Sequence, residues 1–151
     1  MTELLTDTVG VPPEGQSANT QTRTAIKRIL LVDDDPRILQ LLGDCFKDCY
    51  AIDMAMDGGQ ALTIVQRHRP DIVLLDITLP GMSGIDILKE LKKTDLTITV
   101  VMVTGNDSVA LAAEALRSGA AGYVPKPFDL RHLAHLVADI IANRTAKGRS
   151  M

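Results

Sequence analysis

Asp33-Asp34-Asp35 follow directly on the apolar run Ile29-Leu30-Leu31-Val32, and Asp76 follows Ile72-Val73-Leu74-Leu75. Thr104 comes after a third apolar run, and Lys126 sits just past a fourth, between Pro125 and Pro127. Carboxylates packed together raise one another's pKa unless a cation stands between them. Hard oxygen donors with room for water suit Mg²⁺, which takes one or two carboxylates and keeps several waters. Beside an Asp nucleophile such an ion would neutralise the oxygens of an incoming phosphoryl group. Lys126 and the Thr104 hydroxyl could hold the oxygens that remain. That chemistry fits phosphorylation of a carboxylate, giving an acyl phosphate on one acid.

The elements that must position these groups are legible as alternating patterns. Short apolar runs at 29–32, 50–54, 72–75, 98–103 and 121–124 read as strands, and near-continuous hydrophobicity marks strands buried on both faces. Helical patterns lie between and after them. Asp35-Pro36 supplies an N-cap and a first-turn proline, with Ile38, Leu42, Cys45 and Cys49 on one face and Leu41 and Phe46 beside them. Further helices are expected over 59–67, over 83–93 with Ile87, Leu88 and Leu91 together, and over 107–117, stopping at Ser118-Gly119. The last, about 129–143, is capped by Asp129 and stacks Leu130, Leu133, Ala134, Val137, Ile140 and Ile141.

A strand followed by a helix, five times over, argues an α/β domain with a five-stranded parallel sheet covered on both faces. Right-handed crossovers leave the flavodoxin-like order 2-1-3-4-5 as the common solution at this size. In such a sheet ligands sit beyond the carboxyl ends of the strands. There Asp33, Asp34, Asp35 and Asp76 converge, with Thr104 on one side and Lys126 on the other. A closed barrel needs eight such units. A dinucleotide site wants a glycine-rich turn after the first strand, where this chain reads DDDPRI, which repels phosphate.

Composition narrows the class further. The chain carries 16 Lys+Arg against 19 Asp+Glu, a net charge of −3, and is 46% hydrophobic with no Trp. One aliphatic core of ordinary domain size follows. The charge balance offers no basic surface for nucleic acid or for a membrane. The apolar runs fall far short of the roughly 20 residues that a spanning helix needs, and the N-terminus lacks the pattern of a secretory signal. A cytoplasmic protein is expected.

Taken together, VDDDP at 32–36, LLDITLPGMSG at 74–84, Thr104-Gly105 and Lys126-Pro127-Phe128 resemble the receiver domain of two-component response regulators. The resemblance covers about residues 27–143. It implies Asp76 as the phosphoacceptor, taking its phosphoryl group from a histidine kinase or histidine phosphotransfer protein. Mg²⁺ would be held directly by Asp34, largely through water by Asp33, and by Asp76 and the Thr78 backbone carbonyl. Lys126 would pair with the phosphoryl group, Thr104 would be the switch hydroxyl, and Tyr123 would turn inward once Thr104 moves. A downstream protein would then read the face made by the fourth helix, fifth strand and fifth helix. In this family the Lys126–Pro127 bond is usually cis. Thr78 and Gly105 depart from the commonest residues at their positions, which bears on how long the phosphorylated state lasts. At most the chain would catalyse its own phosphorylation and dephosphorylation.

Plainer roles fit the other candidates. Asp35 is a helix cap, Cys45 and Cys49 are reduced thiols facing the core, and His132 and His135 are surface residues. Residues 1–25 read as a disordered arm, 26–144 as the receiver, and 145–151 as a frayed tail. The chain is either a stand-alone receiver, which the arm favours, or one cut from a longer regulator. An aspartyl-phosphate phosphatase would need a substrate-covering cap insertion, and a flavin carrier a Ser/Thr/Gly loop after the first strand; neither is evident in the sequence.

Overall fold

Successive residues of the inner strands point to opposite sides of the sheet, and both sides are apolar. Leu30, Val32, Val73, Leu75, Val100 and Met102 enter one core, while Ile29, Leu31, Ile72, Leu74, Val101 and Val103 enter the other. That alternation is why the strand segments are continuously hydrophobic. Fully burying one such side chain contributes about 1.5–3 kcal/mol, so neither face can be left to water.

In the computed structural model, which describes residues 26–150 with side chains through Arg144, the elements follow in strict alternation. They are β1 (Arg28–Val32), α1 (Pro36–Phe46), β2 (Ala51–Ala55), α2 (Gly58–His68), β3 (Ile72–Leu75), α3 (Gly84–Thr94), β4 (Thr99–Thr104), α4 (Val109–Arg117), β5 (Gly122–Pro125) and α5 (Leu130–Ser150). The sheet is wholly parallel in the order β2-β1-β3-β4-β5. Helices α1 and α5 cover one face through Leu39, Leu42, Phe46, Leu133 and Val137. Helices α2, α3 and α4 cover the other through Ala61, Val65, Ile85, Ile87, Leu88, Leu91 and Ala115. This is the flavodoxin-like architecture read from the sequence. The expected arm, residues 1–25, lies outside the described residues. Among those described, no helix is long and apolar enough to cross a membrane.

Three local expectations differ from the structure. Helix α1 turns Leu39, Leu42 and Phe46 inward, with Ile38 and Cys45 only half-buried and Leu41 44% exposed. It also ends at Phe46, which leaves Cys49 past its C-terminus and exposed rather than facing the core. The α4 cap is Ser108, whose side chain accepts from the Leu111 N–H, so the helix starts two residues after Asp107. Helix α5 continues from its Asp129 cap past Asn143 to Ser150, through residues expected as a tail. No proline interrupts that stretch and most of its residues are good helix formers. Arg144 reaches from it to the Asp71 carbonyl at 2.6 Å, at the entry to β3.

One glycine carries a specific packing duty. The N–H of Gly84, at the start of α3, donates to the Ile77 carbonyl at 2.7 Å, pressing the helix against the loop after β3. A Cβ here would lie 2.1 Å from the Asp76 carbonyl oxygen and 2.6 Å from the Ile77 Cα, both backbone atoms with little freedom to retreat. At Gly105 a Cβ would meet nothing within 4 Å. Gly84→Ala is therefore expected to destabilise by about 1–3 kcal/mol through overpacking, and Gly105→Ala to stay within about 0.5 kcal/mol of wild type. Urea midpoints of the three proteins check this; equal midpoints would mean α3 can lift away from Asp76 freely.

Candidate functional site

The hydrogen-bond ladder of the sheet runs one residue past β1, β3 and β5, and those three residues are charged. Asp33 N–H donates to the Ala55 carbonyl at 3.1 Å, Asp76 N–H to Val32 at 3.0 Å, and Lys126 N–H to Thr104 at 2.9 Å. Asp33, Asp76 and Lys126 therefore leave the sheet with fixed backbones and converge. Asp33 is 3% exposed, Asp76 5%, and Thr104 fully buried, whereas Asp34 faces solvent.

Lys126 holds the centre. Its Nζ donates to Asp33 Oδ2 at 2.5 Å and to Asp76 Oδ2 at 3.0 Å. The other oxygens of both acids are held by backbone: Asp33 Oδ1 accepts from the Asp35 N–H at 2.9 Å, and Asp76 Oδ1 from the Thr78 N–H at 3.0 Å. The peptide bond after Lys126 is cis. Asp35 stands apart from this set. Its Oδ1 caps α1 by accepting from the Arg37 N–H at 2.9 Å, and its carboxylate pairs with the Arg37 guanidinium, which lowers its pKa. The cap role of Asp35 is the one expected from Pro36.

Burial and pairing act in opposite directions on this cluster. Burial raises the Asp33 carboxyl above its ordinary 3.8, although the Lys126 and Asp35 hydrogen bonds pull the other way. For Lys126 burial lowers the pKa, but the hydrogen bonds and charges of Asp33 and Asp76 outweigh it and leave the ammonium above 10.5. An ion pair alone would have lowered the acid; here desolvation wins on the acid and pairing wins on the base. Between 3.8 and its raised value Asp33 holds a proton more tightly in the folded chain, so stability falls as pH rises through that window. The contribution of Lys126 is complete below 10.5 and is lost as pH climbs through its raised value.

Oxygens from Asp33, Asp34 and Asp76 lie within 4.8 Å of one another. With all three ionised, three carboxylates against one ammonium leave two negative charges uncompensated. An exposed acid beside two buried ones also leaves room for water. That donor set fits a hard divalent cation. Asp33, Asp34 and Asp76 are the side chains that could hold it; the Thr78 side chain is exposed, and its N–H is already engaged by Asp76.

The remaining expected residues lie beside this pocket. Thr104 Oγ1 accepts from the Asn106 N–H at 3.2 Å. Tyr123 is half-buried, and its hydroxyl already donates to the Asn106 carbonyl. The phenol is thus docked on the loop after β4, where a backbone carbonyl satisfies it. Burial is also the main cause that raises the Tyr123 pKa. His132 and His135 are exposed. Two residues of this neighbourhood carried no role in the sequence reading: Gly84, signalled only by the G-x-x-G spacing at 81–84, and Asn106, which no pattern marked.

A family model described as "Response regulator receiver domain" matches residues 29–138. The chain belongs to that family. It is a receiver domain of two-component systems, and receiver domains bind Mg²⁺ at an acidic pocket such as the one formed here. Among curated relatives it is 41% identical over 112 residues to the sporulation initiation phosphotransferase F of Bacillus subtilis, covering 74% of this chain and 90% of that one. It is 39% identical over 129 residues to the regulatory protein AtoC of Escherichia coli, covering 85% of this chain but 27% of AtoC. The DNA-binding response regulator MtrA of Mycolicibacterium smegmatis is 43% identical over 112 residues, covering 73% of this chain and 48% of MtrA. The receiver thus spans less than half the length of the last two. A solved CheY-like receiver domain protein from Methanospirillum hungatei superposes with a TM-score of 0.79 at 29% identity, covering 82% of this chain and 99% of that one.

The pocket generates a cation-binding prediction. Asp34→Ala should weaken Mg²⁺ binding more than Asp35→Ala, which should instead cost about 1 kcal/mol of stability through the lost cap. Wild-type affinity should fall as the pH drops toward the raised Asp33 value, because the cation must then displace a proton. Mg²⁺ titrations at neutral and mildly acidic pH check both statements. Equal affinities for the two substituted proteins would place the cation elsewhere.

Proposed function

We propose that Asp76 is the phosphoacceptor of this receiver, taking a phosphoryl group from a histidine of a kinase or phosphotransfer protein. The observation that carries this reading is the pairing of Asp76 Oδ2 with the Lys126 ammonium, inside a pocket that holds two further carboxylates. A carboxylate oxygen attacks phosphorus as the P–N bond to the donor imidazole breaks, and the bond electrons return to the imidazole nitrogen. Lys126, anchored on Asp33, stays in place to meet the negative charge on the transferred group. Mg²⁺ held by Asp33, Asp34 and Asp76, with the Thr78 carbonyl as a further donor, would neutralise the phosphoryl oxygens during transfer. Similarity to a Bacillus protein named as a phosphotransferase, matched over 90% of its length, supports the donor class.

Thr104 reads the result. A phosphoryl oxygen on Asp76 offers its hydroxyl a charge-assisted hydrogen bond, stronger than the neutral one it now accepts from Asn106. The loop after β4, helix α4, Tyr123 and the α4–β5–α5 face then shift in population, and a downstream protein recognises that face by contact.

Incubation with Mg²⁺ and acetyl phosphate should add one phosphoryl group by intact mass to wild type and none to Asp76→Asn. Thr104→Ala should still take the group but lose most of the amide NMR shifts that beryllofluoride induces over residues 105–124. Label persisting in Asp76→Asn would overturn the assignment of the acceptor; equal shifts with and without the Thr104 hydroxyl would overturn the readout alone.

A further inference from the structure

Asn106 joins three parts of the domain through three separate groups. Its N–H donates to Thr104 Oγ1 at 3.2 Å, its carbonyl accepts from the Tyr123 hydroxyl, and its side-chain Oδ1 accepts from the Ser108 N–H at 3.0 Å. Ser108 is the α4 cap, and its Oγ accepts from the Leu111 N–H at 3.2 Å. Leu111 in turn packs against the same core as Tyr123. A continuous chain of contacts thus runs from the Thr104 hydroxyl to the first turn of α4.

Two of the three bonds use backbone groups that any residue at this position presents. Only the bond to Ser108 depends on the asparagine side chain. We propose that Asn106 is a positioning residue whose side-chain oxygen ties the first turn of α4 to the Thr104–Tyr123 pair, and so determines how far an event at Asp76 is felt in α4. When Thr104 Oγ1 takes a new partner, the Asn106 N–H loses its acceptor and residue 106 must re-seat. Its carbonyl carries the Tyr123 hydroxyl with it, and its Oδ1 carries the Ser108 N–H. With alanine at 106, water satisfies Ser108 and the helix end is released from the loop. A neutral hydrogen bond biases an equilibrium by about tenfold at most, enough to remove most of an ordinary coupling.

The phosphoryl arm of the test rests on Asp76 as acceptor, and a second arm does not. Amide spectra of the full chain, with and without Mg²⁺ and beryllofluoride, are compared for wild type, Asn106→Ala and Asn106→Asp. Asn106→Ala should keep the induced shifts at Thr104 and Gly105 and lose most of those over Val109–Arg117, while Asn106→Asp, which retains the acceptor, restores them. A merely stabilising side chain would lower the melting temperature of Asn106→Ala yet leave the ratio of α4 to Gly105 shifts unchanged, and that result overturns the proposal. Loss of the α4 shifts in both variants overturns it as well. In the second arm Tyr123→Phe replaces the mimic and hydrogen exchange of the Leu111 amide is read. Tyr123→Phe should speed that exchange in wild type and leave it unchanged in Asn106→Ala. An equal effect in both backgrounds overturns the link, whereas silence toward beryllofluoride in wild type, with the exchange result intact, counts only against Asp76 as acceptor.

Discussion

The ammonium of Lys126, shared between Asp33 and Asp76, is the interaction on which the rest of this structure depends. Two nearly buried carboxylates side by side repel each other and lose hydration. A single cation bridging them, with backbone N–H groups on their outer oxygens, is what allows both to remain at the sheet edge. Lys126 can occupy that position because β5 pairs with β4 and extends the ladder to Lys126 itself. The sheet order places β1 beside β3 and β4 between β3 and β5, so the lysine must cross the end of β4 to reach both acids. Thr104 ends β4 there, fully buried, and its carbonyl accepts from the Lys126 N–H at 2.9 Å.

The compensation is incomplete by design of the residues present. Asp34 adds a third carboxylate with no second cation beside it among the described residues, and Asp33 ends with a raised pKa despite its lysine. Such a cluster lowers stability in the empty state and gains it back from whatever positive or polar group enters. Apolar residues would pack more cheaply at the two buried positions, 33 and 76, which is consistent with the site role proposed for those acids. The two cores on either face supply the rigidity that keeps this arrangement from relaxing.

Much of this was legible in the sequence because doubly buried strands announce themselves. An apolar run of four or five residues that stops at an acid, a threonine or a lysine marks both the strand and its functional end. The cap role of Asp35 was legible because Pro36 fixes the first helical turn. The phase of α1 was not: Ile38, Leu39, Leu41 and Leu42 offer two overlapping stripes, and only packing against the sheet selects Leu39 over Leu41. Nothing between Phe46 and Tyr50 signals the helix end that exposes Cys49, and nothing after Asn143 signals a stop. Gly84 and Asn106 were invisible for a different reason. Their roles come from the return path of a loop against a strand end, a tertiary relation that leaves no period in the sequence.

The two oxygens of Asp76 are held by partners of unequal reach, and this orders what can happen there. Oδ1 is bound by a backbone N–H only two residues away, in the loop that Gly84 packs against. Oδ2 is bound by a lysine at the end of a flexible stem that keeps a second, shorter contact on Asp33. A substituent on Oδ2 displaces one of two lysine contacts and offers the ammonium new oxygens in exchange. A substituent on Oδ1 would have to break that backbone hydrogen bond. Under the role proposed for Asp76, Oδ2 would be the reactive oxygen and Oδ1 would fix its direction. Under the same proposal, a group on Oδ2 would lie on the side from which Thr104, and through it Asn106 and α4, responds.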